Sequence, residues 1–280
     1  MKKILTIIAF VNVIFGCEAI WDNGPTQLLR DIFAITETDG VENLETAIQQ
    51  SNKWIRPKGL ELWHAYSILN GSQRIALAKR IKHSDLAEEK MPKKQYYDAV
   101  ILLGAATSRV RARIEFLIKL YKMGIAWDKV YLLGSTRNLK MGNGTDQQMA
   151  QILESKGVTS TEIEMVKHIW QETKMPGSLR TIPMQSIQAD ARADGTRAEL
   201  EDTLAELLKV AGDIQGKTFL FIANNPFICF LDAEAKRALE KSGVNVETVG
   251  EEMKVEPLEN VLDAVVRCLI NMQRPQEKLP

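Results

Sequence analysis

The segment from Asp98 to Gly124, DAVILLGAATSRVRARIEFLIKLYKMG, constrains the fold more than any other part of the chain. Ala99 to Leu103 is continuously apolar, as a strand covered on both faces by helices must be. Gly104-Ala105-Ala106 then breaks the run with little side-chain bulk to hold a ligand away from the backbone, and a basic segment of helical period follows. Thr107 or Ser108 is placed to cap that helix, whose free N–H groups attract anions. The pattern is that of a parallel strand feeding a ligand-binding turn.

The rest of the chain repeats this alternation of strand and helix, the signature of a parallel α/β sheet. Strands are predicted at Ala99–Leu103, Lys129–Leu133, Thr218–Ala223 and Val244–Val249, with a weaker one at Thr181–Ile187. Helices are predicted at Arg109–Met123, Thr145–Lys156, Thr161–Gln171, Arg197–Val210, Phe227–Ser242 and Leu258–Met272. Before them, Pro25 to Lys90 has helical spacing interrupted at Asp39-Gly40, Pro57-Lys58-Gly59 and Asn70-Gly71. Trp54, Trp63 and Tyr66 form an aromatic face there, which reads as core ahead of a partner surface. The expected architecture is a Rossmann-like, three-layer α/β domain over residues 95–273, preceded by a small helical region over 20–94 and followed by a tail at 274–280.

With 45% hydrophobic and 26% charged residues the chain is ordinary globular material, and 36 basic against 36 acidic residues leave no net charge. Composition therefore gives no electrostatic reason to expect nucleic acid as a partner. Lys2 and Lys3 precede an uncharged apolar run from Ile4 to Phe15, followed by Gly16, Cys17, Glu18 and Ala19, which reads as an export leader over residues 1–19. Cleavage after Ala19 and lipid attachment at Cys17 both fit, and membrane contact is expected only through that leader or lipid. Cys229 and Cys268 lie in apolar helical contexts and read as buried unpaired thiols, although an oxidising compartment would let them pair. No Cys-x-x-Cys or Cys/His cluster suggests a metal site.

In an open parallel sheet, ligands bind beyond the carboxyl ends of the strands near the reversal of strand order. That rule selects Gly104, Ala105, Thr107 and Arg109 after the first strand, Gly134, Ser135 and Thr136 after the second, Thr196 before a later helix, and Asn224 after the fourth strand. Arg109 would offer a guanidinium fork to a phosphate or carboxylate. Met141-Gly142-Asn143-Gly144-Thr145 reads as a loop before a helix or as an anion nest. Neither a dinucleotide fingerprint nor a P-loop is present. Asp190 and Asp194 are the acid/base candidates, although Asp194 or Thr196 with Glu199 also makes a helix cap. His64, His83 and His168 follow no predicted sheet strand, and no G-x-S-x-G elbow exists, so a hydrolytic triad is not indicated.

Over about Asp98 to Gly250 the order of motifs resembles the DUF218 family of SanA-, YdcF- and ElyC-like envelope proteins. The matching stretches are Asp98 to Gly104, Leu120 to Gly124 followed by Lys129 to Gly134, the polar turn at Thr196, and Phe219 to Asn224 leading to Ala235 to Leu239. The resemblance implies a Rossmann-like domain of the bacterial envelope and a small nucleotide-like ligand such as S-adenosylmethionine. Where that family shows Asn-Thr-x-Glu-Asn, this chain has Gly195-Thr196-Arg197-Ala198-Glu199, and the later His followed by Arg is replaced within Phe227 to Leu231. The resemblance therefore does not carry catalysis with it. The leading expectation is an exported, envelope-associated protein that binds a small anionic or nucleotide-like molecule at the strand ends. A transferase or hydrolase acting on an envelope metabolite and a non-catalytic partner-binding protein are the alternatives.

Overall fold

The structure is a computed structural model that describes residues 18–56, 67–192, 198–254 and 256–273. Residues 1–17 of the leader, with Cys17, and Trp63, His64, Tyr66, Asp194 and Thr196, lie outside the described residues. Among the described residues, seven strands follow in chain order: β1 (Tyr96–Tyr97), β2 (Ala99–Leu102), β3 (Ala126–Trp127), β4 (Val130–Ser135), β5 (Met184–Ala189), β6 (Thr218–Asn224) and β7 (Asn245–Glu251). β1 and β3 form a small parallel pair, while the other five make one sheet in the order β5-β4-β2-β6-β7. Every pairing in that sheet is parallel, with Val100 opposite Val130 and Ile101 opposite Phe221.

Helices cover both faces, which is why β2 and β6 read as unbroken apolar runs. The helices are α1 (Gln27–Ile35), α2 (Leu44–Ser51), α3 (Gly71–Ile81), α4 (Thr107–Lys122), α5 (Gly144–Ser155), α6 (Glu162–Glu172), α7 (Gly177–Arg180), α8 (Leu200–Val210), α9 (Ile228–Leu239) and α10 (Leu258–Gln273). Val100, Leu102, Leu132 and Ile222 point to one face and pack with Ile114, Leu117, Met165 and Ile169 of α4 and α6. Their strand neighbours Ile101, Leu133 and Phe221 point to the other face and meet Leu204 and Leu207 of α8 and Leu239 of α9. Gly124, at φ +89°, takes the left-handed conformation that ends α4 and turns the chain toward β3. The result is a three-layer α/β fold of Rossmann type.

The amino-terminal helices do not form a separate core. Leu29, Ile32 and Phe33 of α1 and Leu77 and Ile81 of α3 share one apolar cluster with Val261, Val265 and Leu269 of α10 and Ala233 of α9. Trp54 is 1% exposed in this cluster, and its ring meets Phe33 edge-on with centroids 4.9 Å apart. Cys268 of α10 is a buried thiol, while Cys229 of α9 is disulfide-bonded, so the two do not pair with each other. The expectation of two buried thiols thus fails at Cys229, because an apolar helical setting suits a thiol and a disulfide sulfur equally. Cys17, the remaining cysteine, lies outside the described residues. Among the described residues, no helix is long and apolar enough to cross a membrane.

Trp54→Ala removes a large side chain from the cluster joining α1, α3 and α10. It should cost about 3–5 kcal/mol of stability, measured from the midpoint of chemical denaturation followed by circular dichroism. A loss below about 1 kcal/mol, on the same scale of core truncations, would show that these helices are not docked as described.

Candidate ligand-binding crevice

Strand order reverses between β2 and β6, the place where a parallel sheet opens for ligand. In this chain Arg113 fills that opening. Its Nη1 donates to the carbonyls of Leu103 at 2.7 Å and Gly104 at 2.9 Å, and its Nε donates to Asn224 Oδ1 at 2.6 Å. Burial, reinforced by the neighbouring Arg109 charge, pushes the Arg113 guanidinium down to about 9, which still leaves it cationic near neutrality. Asn224 also donates to Glu251 Oε1 at 3.2 Å, so both ends of its amide are engaged within the protein.

The amino terminus of α4 is likewise occupied from within. Thr107 is the first residue of the helix, and Ala106, not Thr107 or Ser108, stands at the cap position. The Thr107 N–H and hydroxyl both donate to Asp146 Oδ1, at 2.7 and 2.8 Å. Asp146 is fully buried, and its other oxygen pairs with Arg137 Nη1 at 3.0 Å. A second carboxylate repeats the arrangement one strand over. Glu162 Oε2 accepts from the Ser135 N–H at 3.0 Å and from its hydroxyl at 2.6 Å, while Oε1 lies 3.5 Å from Arg137 Nη2. Each acid sits in the first turn of its own helix, where the dipole favours negative charge.

These internal carboxylates change what the small residues are for. A Cβ on Gly104 would stand 2.9 Å from the Leu133 carbonyl and 3.1 Å from the Glu162 carboxyl carbon, and one on Gly134 would stand 2.9 Å from Ile163 Cα. The turn is therefore small because protein atoms, not a ligand, approach it. Gly142-Asn143-Gly144 is a helix entry and not an anion nest: Asn143 caps α5 by accepting the Asp146 N–H at 3.0 Å, and Asp146 fills the space beside Gly142.

Other sequence candidates are spent in similar ways. The Arg109 guanidinium pairs with Glu256 and lies 4.7 Å over the Phe227 ring. The Ala105 carbonyl accepts from Arg137 Nη2 at 3.4 Å, and Thr136 Oγ1 accepts the Ala191 N–H at 3.2 Å. Asp190 is exposed beyond β5, where Gln188 donates to it at 3.3 Å. The predicted helix start near Thr196 is corrected to Leu200, with Glu199 as the cap residue and Asp202 accepting its N–H at 2.7 Å. His83 is exposed, and His168 is half-buried on α6, where desolvation and then the Lys156 charge lower its pKa.

The open space lies on the α8 and α9 side of the same strand ends. A crevice of about 330 Å³ runs from Gly104, Gly134 and Ser135 to the faces of α8, α9 and α10, with Ile55 and Arg56 at its edge. Of the residues expected from sequence to bind, the structure brings together Gly104, Gly134 and Ser135 there and leaves Ala105, Thr107, Arg109, Thr136 and Asn224 outside its lining. α9 and its cap residue Phe227 contribute the stripe Phe227, Phe230, Leu231 and Glu234, and α10 contributes Asp263, Arg267 and Asn271 at successive helical turns.

The charges lining this space are unevenly paired. Glu162 is held by Arg137, and Glu199 lies 3.3 Å from Arg192. Asp263 faces two guanidinium groups, 2.9 Å from Arg267 Nε and 3.7 Å from Arg56 Nη1, and accepts the Arg56 N–H at 2.8 Å. Glu234 has no ion pair within 4.0 Å among the described residues and is only 6% exposed. Burial raises its carboxyl to about 7, with repulsion from Glu199 and Glu201 adding to the shift and Arg237 and the Glu201 N–H opposing it. Asn271, 8% exposed, also lines the crevice, and among the described residues its side chain has no hydrogen-bond partner. Sequence reasoning missed Glu162, Glu234, Asp263, Arg267 and Asn271. The available signal for Glu234 was its place on the apolar stripe of α9.

No protein-family model matches the chain, and no curated protein sequence matches it.

The raised Glu234 carboxyl binds its proton more tightly in the folded chain than in the unfolded one. Stability should fall as pH rises from the ordinary glutamate range through about 7 and then level off. Glu234→Gln removes that loss. The variant should be more stable than the parent at pH 8, by up to roughly 3 kcal/mol, and nearly equal to it below the ordinary glutamate range. Urea denaturation across pH checks this, and a variant equally stable or weaker at pH 8 contradicts the assignment.

Proposed function

We propose that this chain is an exported, envelope-associated α/β protein that binds a small charged molecule in the crevice at the strand ends. The observation that carries the reading is the crevice itself. It sits at the carboxyl ends of β2 and β4 and is lined by two buried polar side chains, Glu234 and Asn271, that fold and packing leave available. Burial of polar groups is costly unless they find partners, so such groups in an open crevice point to a ligand. The anionic end of the ligand faces Arg267, whose Nε alone is used in the pair with Asp263. The nucleotide-like class implied by the DUF218 resemblance remains compatible with that arrangement.

The export reading rests on Lys2, Lys3 and the apolar run from Ile4 to Phe15. Turnover with Asp190 as the base gains no support, because Asp190 is exposed and outside the crevice. Partner binding through the aromatic residues gains none from Trp54, which is core.

Native mass spectrometry of the protein purified from its own host tests this reading. The parent should carry a small-molecule adduct and a mass lacking the leader. Leu200→Trp, which places an indole in the crevice, should lose the adduct while keeping the fold. A parent without adduct, or an adduct that survives in Leu200→Trp, would contradict binding at this site.

A further inference from the structure

The crevice is lined by charged side chains of both signs. One of these is Glu234, a buried carboxyl group without an ion pair among the described residues. In the same lining one carboxylate, Asp263, faces both Arg56 and Arg267. Arg267 engages it through Nε, and its two terminal nitrogens have no acceptor among the described residues, with the side chain 34% exposed toward solvent. Asn271 follows Arg267 by one helical turn, is more than nine-tenths buried, and among the described residues keeps both a donor and an acceptor unspent.

We propose that the crevice takes an amphoteric, amino-acid-like molecule, with its protonated nitrogen on Glu234 and Asn271 and its anionic group on Arg267. The proposal rests on the ligand-binding reading above and specifies its ligand class. An anion alone would be drawn to Arg267 but would bring a second negative charge toward Glu234, in surroundings where charge is weakly screened. A cation alone would satisfy Glu234 and meet the guanidinium groups of Arg267 and Arg56. A molecule carrying both charges can satisfy Glu234 and Arg267 together. A volume of about 330 Å³ is at the small end of ligand pockets and fits a molecule of that size.

Proton linkage gives the proposal a second signature. The charged groups facing Glu234 are Glu199 and Glu201 from the α8 side and Arg237 on α9, and their balance together with burial keeps its proton affinity high. A protonated nitrogen that docks on Glu234 replaces that proton. Binding should therefore tighten between pH 6 and pH 8 and release protons to the buffer.

Isothermal titration of the full mature chain at pH 8 tests the proposal. The probes are the common L-amino acids taken singly, glutarate as an anion without a cation, and adenosine monophosphate as a nucleotide. At least one amino acid should bind, should weaken by about tenfold or more in Glu234→Gln and in Arg267→Gln, and should bind more weakly at pH 6. Glutarate and adenosine monophosphate should not compete with it. Binding of glutarate or the nucleotide alone, or amino-acid binding unchanged in Glu234→Gln, overturns the amphoteric class while leaving a ligand-binding crevice in place. No amino acid binding overturns the proposal, and if the host-purified protein also carries no adduct, the ligand-binding reading falls with it.

Discussion

The hold of Asp146 on the amino terminus of α4 organises the strand ends of this domain. A parallel α/β unit leaves free N–H groups where the first helix begins, and a buried helix end needs partners for them. Here the partner is a carboxylate from the chain itself, accepting the N–H and hydroxyl of Thr107 and paired through its second oxygen with Arg137. Arg137 also reaches Glu162, which in turn holds the N–H and hydroxyl of Ser135 at the end of β4. Two acids, of which Asp146 is fully buried, and one arginine thus join α4, α5, α6 and β4 in a single network. Loss of one member would strand a charge without its partner, which is far more costly than the net worth of the pair.

That network decides where a ligand can go. Arg113 closes the opening between β2 and β6, and Asp146 and Glu162 take the positions at which an outside anion would meet backbone N–H groups. The remaining space lies on the opposite face of the sheet, under α8, α9 and α10. α10 stands there because its apolar side is shared with α1 and α3, so the amino-terminal helices set one wall of the crevice indirectly. Asp263, Arg267 and Asn271 are the polar side of that same helix.

The fold was legible because its signals are local. Ala99 to Leu102 is apolar at every residue and forms a strand buried on both faces, and the predicted helices fall within a few residues of the observed ones. The weaker strand, β5, starts later than its predicted range because Thr181 to Pro183 turn before the edge of the sheet begins. The site was less legible because it depends on residues distant in sequence. Nothing near Gly104 announces that Glu162 will lie against it, so its missing side chain resembled room for a ligand. Glu234 lies in Asp232-Ala233-Glu234-Ala235-Lys236-Arg237, a stretch whose composition suits a solvated helix face, yet α8 and α10 cover it. Arg109 had the residue type and position of an anion ligand, and Glu256, from just before α10, claims it.

The chain's own carboxylate fills the anion position at α4, and anion rescue of Asp146→Ala measures this. The thermal midpoint of this variant, compared in sulfate and in chloride at equal ionic strength, should rise in sulfate as the ion takes the vacated place beside Thr107 and Arg137, while the parent should not respond. Equal midpoints in the two salts for the variant, or a specific sulfate response in the parent, would contradict the account.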